Sequence, residues 1–257
     1  MHPAPRLPGP PGRDVRAPAA LRVLPARVPR GRPRRARELR VSTFVLVHGA
    51  FRGGWAWDRV APLLRAAGHD VHAPTLSSDA ASLDRWVEEV LPYADGDDVV
   101  LVGHSQGGVV VREVALRRPV RAIVYVDAAV PDPGERAVDL GASPPQLPPR
   151  ETVIPPRQIE PAGDLDAATA AWMNQRLVPV PLAPSLDPAS PGEPDAATTY
   201  AFCTDTPPAY PCGTTRGRLD ERGTPYAWID GGHDAPLTRP EAVAQLLLAS
   251  ADLRGTA

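Results

Sequence analysis

A serine between two glycines, Gly103-His104-Ser105-Gln106-Gly107, follows the apolar run Val99–Val102 and precedes a second run, Val109–Val111. Strand, sharp turn and helix are the setting that presents a serine as a nucleophile. The flanking glycines leave space where a β-carbon would clash. The turn lifts the Ser105 hydroxyl off the strand end. It also brings the Gln106 N–H to a helix start, where unpaired amides favour an anion. A serine at this place can instead be a plain helix cap. Two further signals argue for chemistry: His48-Gly49-Ala50 follows the apolar stretch Phe44–Val47, and Gly232-His233 follows Tyr226–Ile229. A helix cap explains neither. Serine is a weak nucleophile until a base takes its proton. His233, late in the chain and just past a strand, is the candidate base; His48 more simply shapes its own loop.

Those residues need elements to hold them, and alternating strands and helices start at Ser42. Val41–Val47 reads as a strand and Trp57–Ala67 as a helix stopped by Gly68. His69–Ala73 is a strand, Leu83–Tyr93 a helix behind Ser82, and Asp98–Val102 the strand of the serine. Its helix runs to about Arg118, and Ala122–Val126 is the next strand. This rhythm means an α/β fold, a mostly parallel sheet with helices on both faces. It breaks over 131–197, a proline-rich stretch with one helical piece, Leu165–Leu177. A long ordered insertion between strands is usually functional, and here it reads as a cap over the serine. Thr198–Cys203 and Pro225–Ile229 complete the sheet, and Thr238-Arg239-Pro240-Glu241 suggests a capping box for a last helix.

The composition supports one globular domain and excludes several classes. The chain has 257 residues, 43% of them hydrophobic, with a net charge of −2. Nucleic acid is not an expected partner, and no run approaches the roughly 18 apolar residues of a membrane helix. All 28 basic residues are arginine. Cys203 and Cys212 are too few for a disulfide framework or a zinc site. They read as free thiols in a reducing, cytoplasmic compartment, with a single bridge closing a short loop as the alternative. Residues 1–40 are crowded with proline and arginine and show no periodicity, so they read as a disordered basic leader. Translation starting near Val41 is the alternative account of that segment. The domain proper is 41–257.

The chain resembles the α/β-hydrolase fold family, in the branch of plant methylesterases, hydroxynitrile lyases and their bacterial esterase relatives. The resemblance is carried by 44–57 (FVLVHGAFRGGWAW), 63–71 (LLRAAGHDV), 100–108 (VLVGHSQGG) and 231–235 (GGHDA), with Trp172 to Leu177 similar in the cap. It implies Ser105 as nucleophile, His233 as general base, and the N–H groups of Ala50 and Gln106 as the oxyanion hole. It implies a small-molecule ester as substrate and no metal or cofactor. Phe51 and Trp172 are candidate substrate-binding residues, and Trp55 and Trp57 are further candidates for an apolar lining.

A triad in this chain order needs a carboxylate between Ser105 and His233 to hold the imidazole tautomer. The family pattern is Cys-Thr-x-Asp, whereas this chain reads Cys203-Thr204-Asp205-Thr206. The carboxylate stands one place early. Asp205 is the expected acid, and Asp127, at the end of the preceding strand, is the alternative. Hydroxynitrile lyases of this branch carry a lysine after the catalytic histidine, to face the departing cyanide; this chain has Asp234, the wrong sign. Serine ester hydrolysis is therefore the expected reaction, with a ligand-binding protein of defective triad, or a lyase, as rivals. The sequence leaves the oligomeric state open.

Overall fold

Every residue of Phe44–Val47, Val99–His104 and Ala122–Val126 is buried, and most are valine, isoleucine or leucine. Side chains that are β-branched and apolar on both faces suit strands at the centre of a covered parallel sheet. The computed structural model describes residues 41–141 and 146–251. The leader read at 1–40 lies outside the described residues.

Along the chain run β1 (Thr43–Val47), α1 (Ala61–Ala66), β2 (Asp70–His72), α2 (Leu83–Val90), β3 (Val99–His104), α3 (Gly107–Arg117) and β4 (Ala122–Val126). The proline-rich insertion holds β5 (Val153–Ile154), α4 (Ala167–Asn174), β6 (Val180–Pro181) and α5 (Ala183–Leu186). Then come β7 (Ala197–Cys203), α6 (Pro211–Arg222), β8 (Ala227–Ile229), α7 (Ala235–Thr238) and α8 (Pro240–Ala251). The sheet order is β2-β1-β3-β4-β7-β8, and every pairing in it is parallel. In register, Val45 lies beside Leu101 and Leu101 beside Ile123.

The strand period of two splits the core between the faces. Phe44, Leu46, Val100, Val102, Val124 and Val126 pack with Trp57, Leu64 and Leu247. Val45, Val47, Leu101 and Ile123 pack with Val87, Val110 and Val114. Each such side chain contributes roughly 1.5–3 kcal/mol when fully buried.

Helix ends follow local chemistry. The Ser82 hydroxyl accepts from the Arg85 N–H at 3.2 Å and caps α2 as expected. The single helix expected over Trp57–Ala67 is instead a 3-10 turn, Gly54–Trp57, followed by α1. Pro62 in the first turn of α1 has no N–H to continue a helix from Trp57. The capping box at Thr238 does not form, because Thr238 closes α7 with its hydroxyl on the Asp234 carbonyl, and Pro240 opens α8. Helix α6 was not anticipated. Its signals are Pro211 at the start and Gly223, left-handed at φ 64°, just past the end.

The insertion is tied down by named contacts. The Asp166 carboxylate caps α4 by accepting from Thr169 N at 2.6 Å. Leu165, Ala170 and Met173 pack on Leu237. The buried Arg112 guanidinium donates to the carbonyls of Ser190 and Gly192 and pairs with Glu113 at 2.7 Å.

Glycine at 107 is forced by the sheet. A β-carbon there would lie 2.4 Å from the Val47 carbonyl oxygen, whereas one at Gly217, in the open on α6, would touch nothing within 4 Å. Gly107→Ala is expected to lower the unfolding free energy by at least about 2 kcal/mol. Gly217→Ala should raise it by about 0.5–1 kcal/mol. Urea unfolding of both variants checks the pair.

Candidate active site

The sheet starts at β1 and is built outward on both sides, to β2 on one and β3 on the other. The crevice at the carboxyl ends of β1 and β3 is the place where such sheets bind ligands. Ser105 follows β3 and the segment His48–Arg52 follows β1, so both stand at that crevice.

Three non-glycine residues among those described have left-handed backbones: Phe51 (φ 64°), Ser105 (φ 51°) and Asp127 (φ 45°). Such conformations are held against steric cost by their surroundings and cluster at functional sites. Ser105 is fixed by its own backbone. Its N–H donates to Val126 O at 3.2 Å, and its carbonyl accepts from Gly108 and Ala129, both at 3.1 Å. A β-carbon on Gly49 would lie 2.8 Å from the Ser105 β-carbon, which explains the glycine after His48.

His233 Nδ1 lies 2.6 Å from Asp127 Oδ2. Asp127 is the buried carboxylate facing it, with 1% of the side chain exposed. Asp127 also accepts from Cys203 N at 3.1 Å and from the Thr206 hydroxyl at 2.5 Å. Burial alone would raise its pKa, but the hydrogen bond and charge of His233, with Thr206 and Cys203 N–H, outweigh it and hold the carboxyl below its ordinary value. An ionised Asp127 makes Nδ1 the protonated nitrogen of His233 and leaves Nε2 free as a base.

The first choice of acid, Asp205, is corrected. Its carboxylate is exposed and accepts from the Thr204 hydroxyl at 3.1 Å, while its N–H goes to Gly231 O. The Cys203 to Thr206 turn does face the histidine, but it presents Thr206 as a donor to Asp127 rather than a carboxylate of its own.

Two other histidines hold the frame. His104 donates from Nε2 to the His233 carbonyl at 2.8 Å, a role sequence reasoning missed. His48 donates from Nδ1 to Gly49 O at 2.8 Å and accepts from Leu76 N at 3.0 Å, fixing its loop as expected. Burial is the main cause lowering their pKa values, to about 4 for His48 and about 3 for His104. Both are neutral in the folded protein. Tyr210 packs edge-on against His233 with ring centres 4.8 Å apart.

The expected oxyanion donors flank the serine's crevice. Among the described residues, neither the Ala50 nor the Gln106 N–H has a hydrogen-bond acceptor in the protein. Both residues border a small open cleft, together with Phe51, Arg52, Trp86 and the Val178–Pro181 segment of the insertion; Ser105 and His233 lie outside its lining. The insertion reaches this loop directly: Val178 N donates to Phe51 O at 3.0 Å, and the Gln106 amide donates to the Ser185 hydroxyl at 2.8 Å. Phe51 therefore lines the cleft. Trp172 does not; it packs edge-on against Trp55 with Arg176 stacked on it. Trp57 is core, fully buried.

Among the described residues, Asp127, Cys212 and His233 are the one group whose donor atoms, within 4.8 Å of one another, approach a metal-ligand arrangement. The group is poorly suited to a cation. His233 Nδ1 is committed to Asp127, and burial, with the Asp127 charge, pushes the Cys212 thiol up to about 12. Cys203 and Cys212 are both free, buried thiols. Among the described residues no helix is long and apolar enough to cross a membrane.

A family model described as "Alpha/beta hydrolase family" matches residues 44–246. The chain is 42% identical over 123 residues to a carbendazim hydrolyzing esterase of Nocardioides sp. (strain SG-4G), covering 42% of this chain and 50% of that protein. It is 39% identical over 105 residues to salicylic acid-binding protein 2 of Nicotiana tabacum, covering 35% of this chain and 40% of that one. These matches thus span half or less of the curated relatives. The fold resembles the crystal structure of polyneuridine aldehyde esterase, with a TM-score of 0.64 at 20% identity, over 83% of this chain and 100% of that one.

The buried histidines give the fold a pH dependence with a definite sign. Between pH 6.5 and 4 the unfolded chain binds protons at His48 and His104 that the folded one excludes. Stability therefore falls on acidification, by on the order of 3 kcal/mol for each by pH 4. Depression of the Asp127 pKa adds a further loss only at lower pH. Urea unfolding from pH 7 to 4 should show this slope, and His48→Gln should flatten it.

Proposed function

The chain belongs to the alpha/beta hydrolase family, and on that premise we propose that it is a serine carboxylesterase acting on a small-molecule ester. The observation that carries the reading is the His233–Asp127 hydrogen bond at 2.6 Å, with the His233 carbonyl held by His104, the residue before Ser105. His233 Nε2 takes the Ser105 proton, and Oγ attacks the ester carbonyl. The oxyanion is held by the Ala50 and Gln106 N–H groups, each worth roughly 10²–10³ in rate. His233 returns the proton to the leaving alcohol. Water, deprotonated by the same nitrogen, then releases the acyl group. Asp127 holds the imidazole in the required tautomer and stabilises the imidazolium.

A binding-only reading rests on the displaced Asp205 and the proline-rich cap, and the contact of Asp127 with His233 favours the esterase over it on the first of these. Lyase chemistry is disfavoured: Asp234 follows His233 where that reaction calls for a cation, and the Arg52 guanidinium on it is matched by that carboxylate. The relatives named for carbendazim hydrolysis and salicylic acid binding favour a small aromatic ligand, as does a cleft bordered by Phe51 and Trp86.

Purified protein should hydrolyse short-chain p-nitrophenyl esters, and Ser105→Ala should abolish the reaction. Asp127→Asn should lower kcat by on the order of 10⁴, the cost of losing the acid in the best-studied triad. Asp205→Asn should stay within about threefold of the native rate, since its carboxylate does not meet the imidazole. Loss of activity in Asp205→Asn with retention in Asp127→Asn would reverse the assignment.

A further inference from the structure

The two loops that carry the oxyanion donor and the base come from distant strands. The 48–52 loop leaves β1 and the 230–234 loop leaves β8, with three strands between them in the sheet. Among the described residues one hydrogen-bonded link joins them, the side-chain pair Arg52–Asp234. Arg52 Nε donates to Asp234 Oδ1 and Nη2 to Asp234 Oδ2, both at 2.9 Å. Its remaining arm, Nη1, donates to the Ala50 carbonyl at 3.0 Å. All three positions of the guanidinium fork are thus used. The side chains are only 12% and 14% exposed, so the pair is shielded from solvent screening.

The placement matters to the reaction. Ala50 is the residue whose N–H would meet the oxyanion, and the next residue, Phe51, is left-handed at φ 64°. Holding the Ala50 carbonyl resists the flip that would relieve Phe51 and turn the loop. Asp234 directly follows His233 and is the residue before α7. The pair is also electrically balanced. Alone, Asp234 would stabilise a protonated His233 away from Asp127, and alone, Arg52 would oppose the imidazolium; together they add little net charge.

We propose that Arg52 and Asp234 are positioning residues that latch the oxyanion loop to the histidine loop, setting the distance between oxyanion donor and base. The inference rests on the esterase reading for its kinetic test and on geometry alone for its second one. The kinetic test compares Arg52→Gln, Asp234→Asn, the double variant and Arg52→Lys in p-nitrophenyl ester hydrolysis. Each single neutral variant should lose 10–100-fold in kcat, the scale of a small misplacement at a reacting centre, with KM within about twofold. The double variant should be no worse than the poorer single one, since both remove one latch. Arg52→Lys, which keeps the charge but not the fork, should recover only part of the loss. The double variant carries no unpaired charge and serves where a single one fails to fold.

The second test is backbone hydrogen exchange. Either single variant should speed exchange in both loops, including the loop that carries no substitution, and the double should speed both to a similar extent. Additive losses in kcat, losses confined to KM, or exchange changes limited to the substituted loop would overturn the latch. If the native protein hydrolyses no ester, the esterase reading fails, and coupled exchange still decides the latch.

Discussion

The buried charge on Asp127 is the constraint around which the site is arranged. An ionised carboxylate with 1% exposure is very costly unless donors surround it. Here they come from three directions: the Cys203 N–H at the end of β7, the Thr206 hydroxyl in the following turn, and the His233 ring beyond β8. One side chain thus draws together the ends of β4, β7 and β8. Its own left-handed backbone, φ 45°, aims it there, and its N–H is held by Ala201 O at 2.7 Å. Stability and the geometry of the candidate site therefore share the same hydrogen bonds.

The other half of the site depends on close packing of backbone rather than charge. Gly49 lets the β1 loop touch the Ser105 β-carbon, and Gly107 lets α3 start against the carbonyls of Val47 and His48. Among the described residues the Ala50 and Gln106 N–H groups have no protein acceptor. The neutral, buried His104 and His48 then tie the loops to the sheet, one to the His233 carbonyl and the other between Gly49 and Leu76. At His48 both ring nitrogens are used, one donating and the other accepting.

What the sequence makes legible is what local pattern determines. Ala122–Val126 has the same limits in both readings, and the serine elbow follows from its glycines. The split of Trp57–Ala67 was hidden because apolar spacing continued through Pro62, whose missing N–H decides the break. The acid was hidden for a different reason. Sequence order weighs Asp127 and Asp205 by distance from a motif, while the choice is made by which carboxylate is buried against His233. Thr206 is informative in retrospect: at the position where the resemblance implies a carboxylate, its hydroxyl donates to Asp127. The Arg52–Asp234 pair spans 182 positions and has no local signature at all.

The central claim is that Ser105 is a nucleophile activated by a His233 that Asp127 holds in place. Covalent labelling with a fluorophosphonate, read by peptide mass spectrometry, tests it without any choice of substrate. The account predicts one adduct, on the peptide containing Ser105, formed at least about 10³-fold more slowly in His233→Ala. Failure of folded native protein to label, an adduct elsewhere, or equal rates with and without His233 would contradict it.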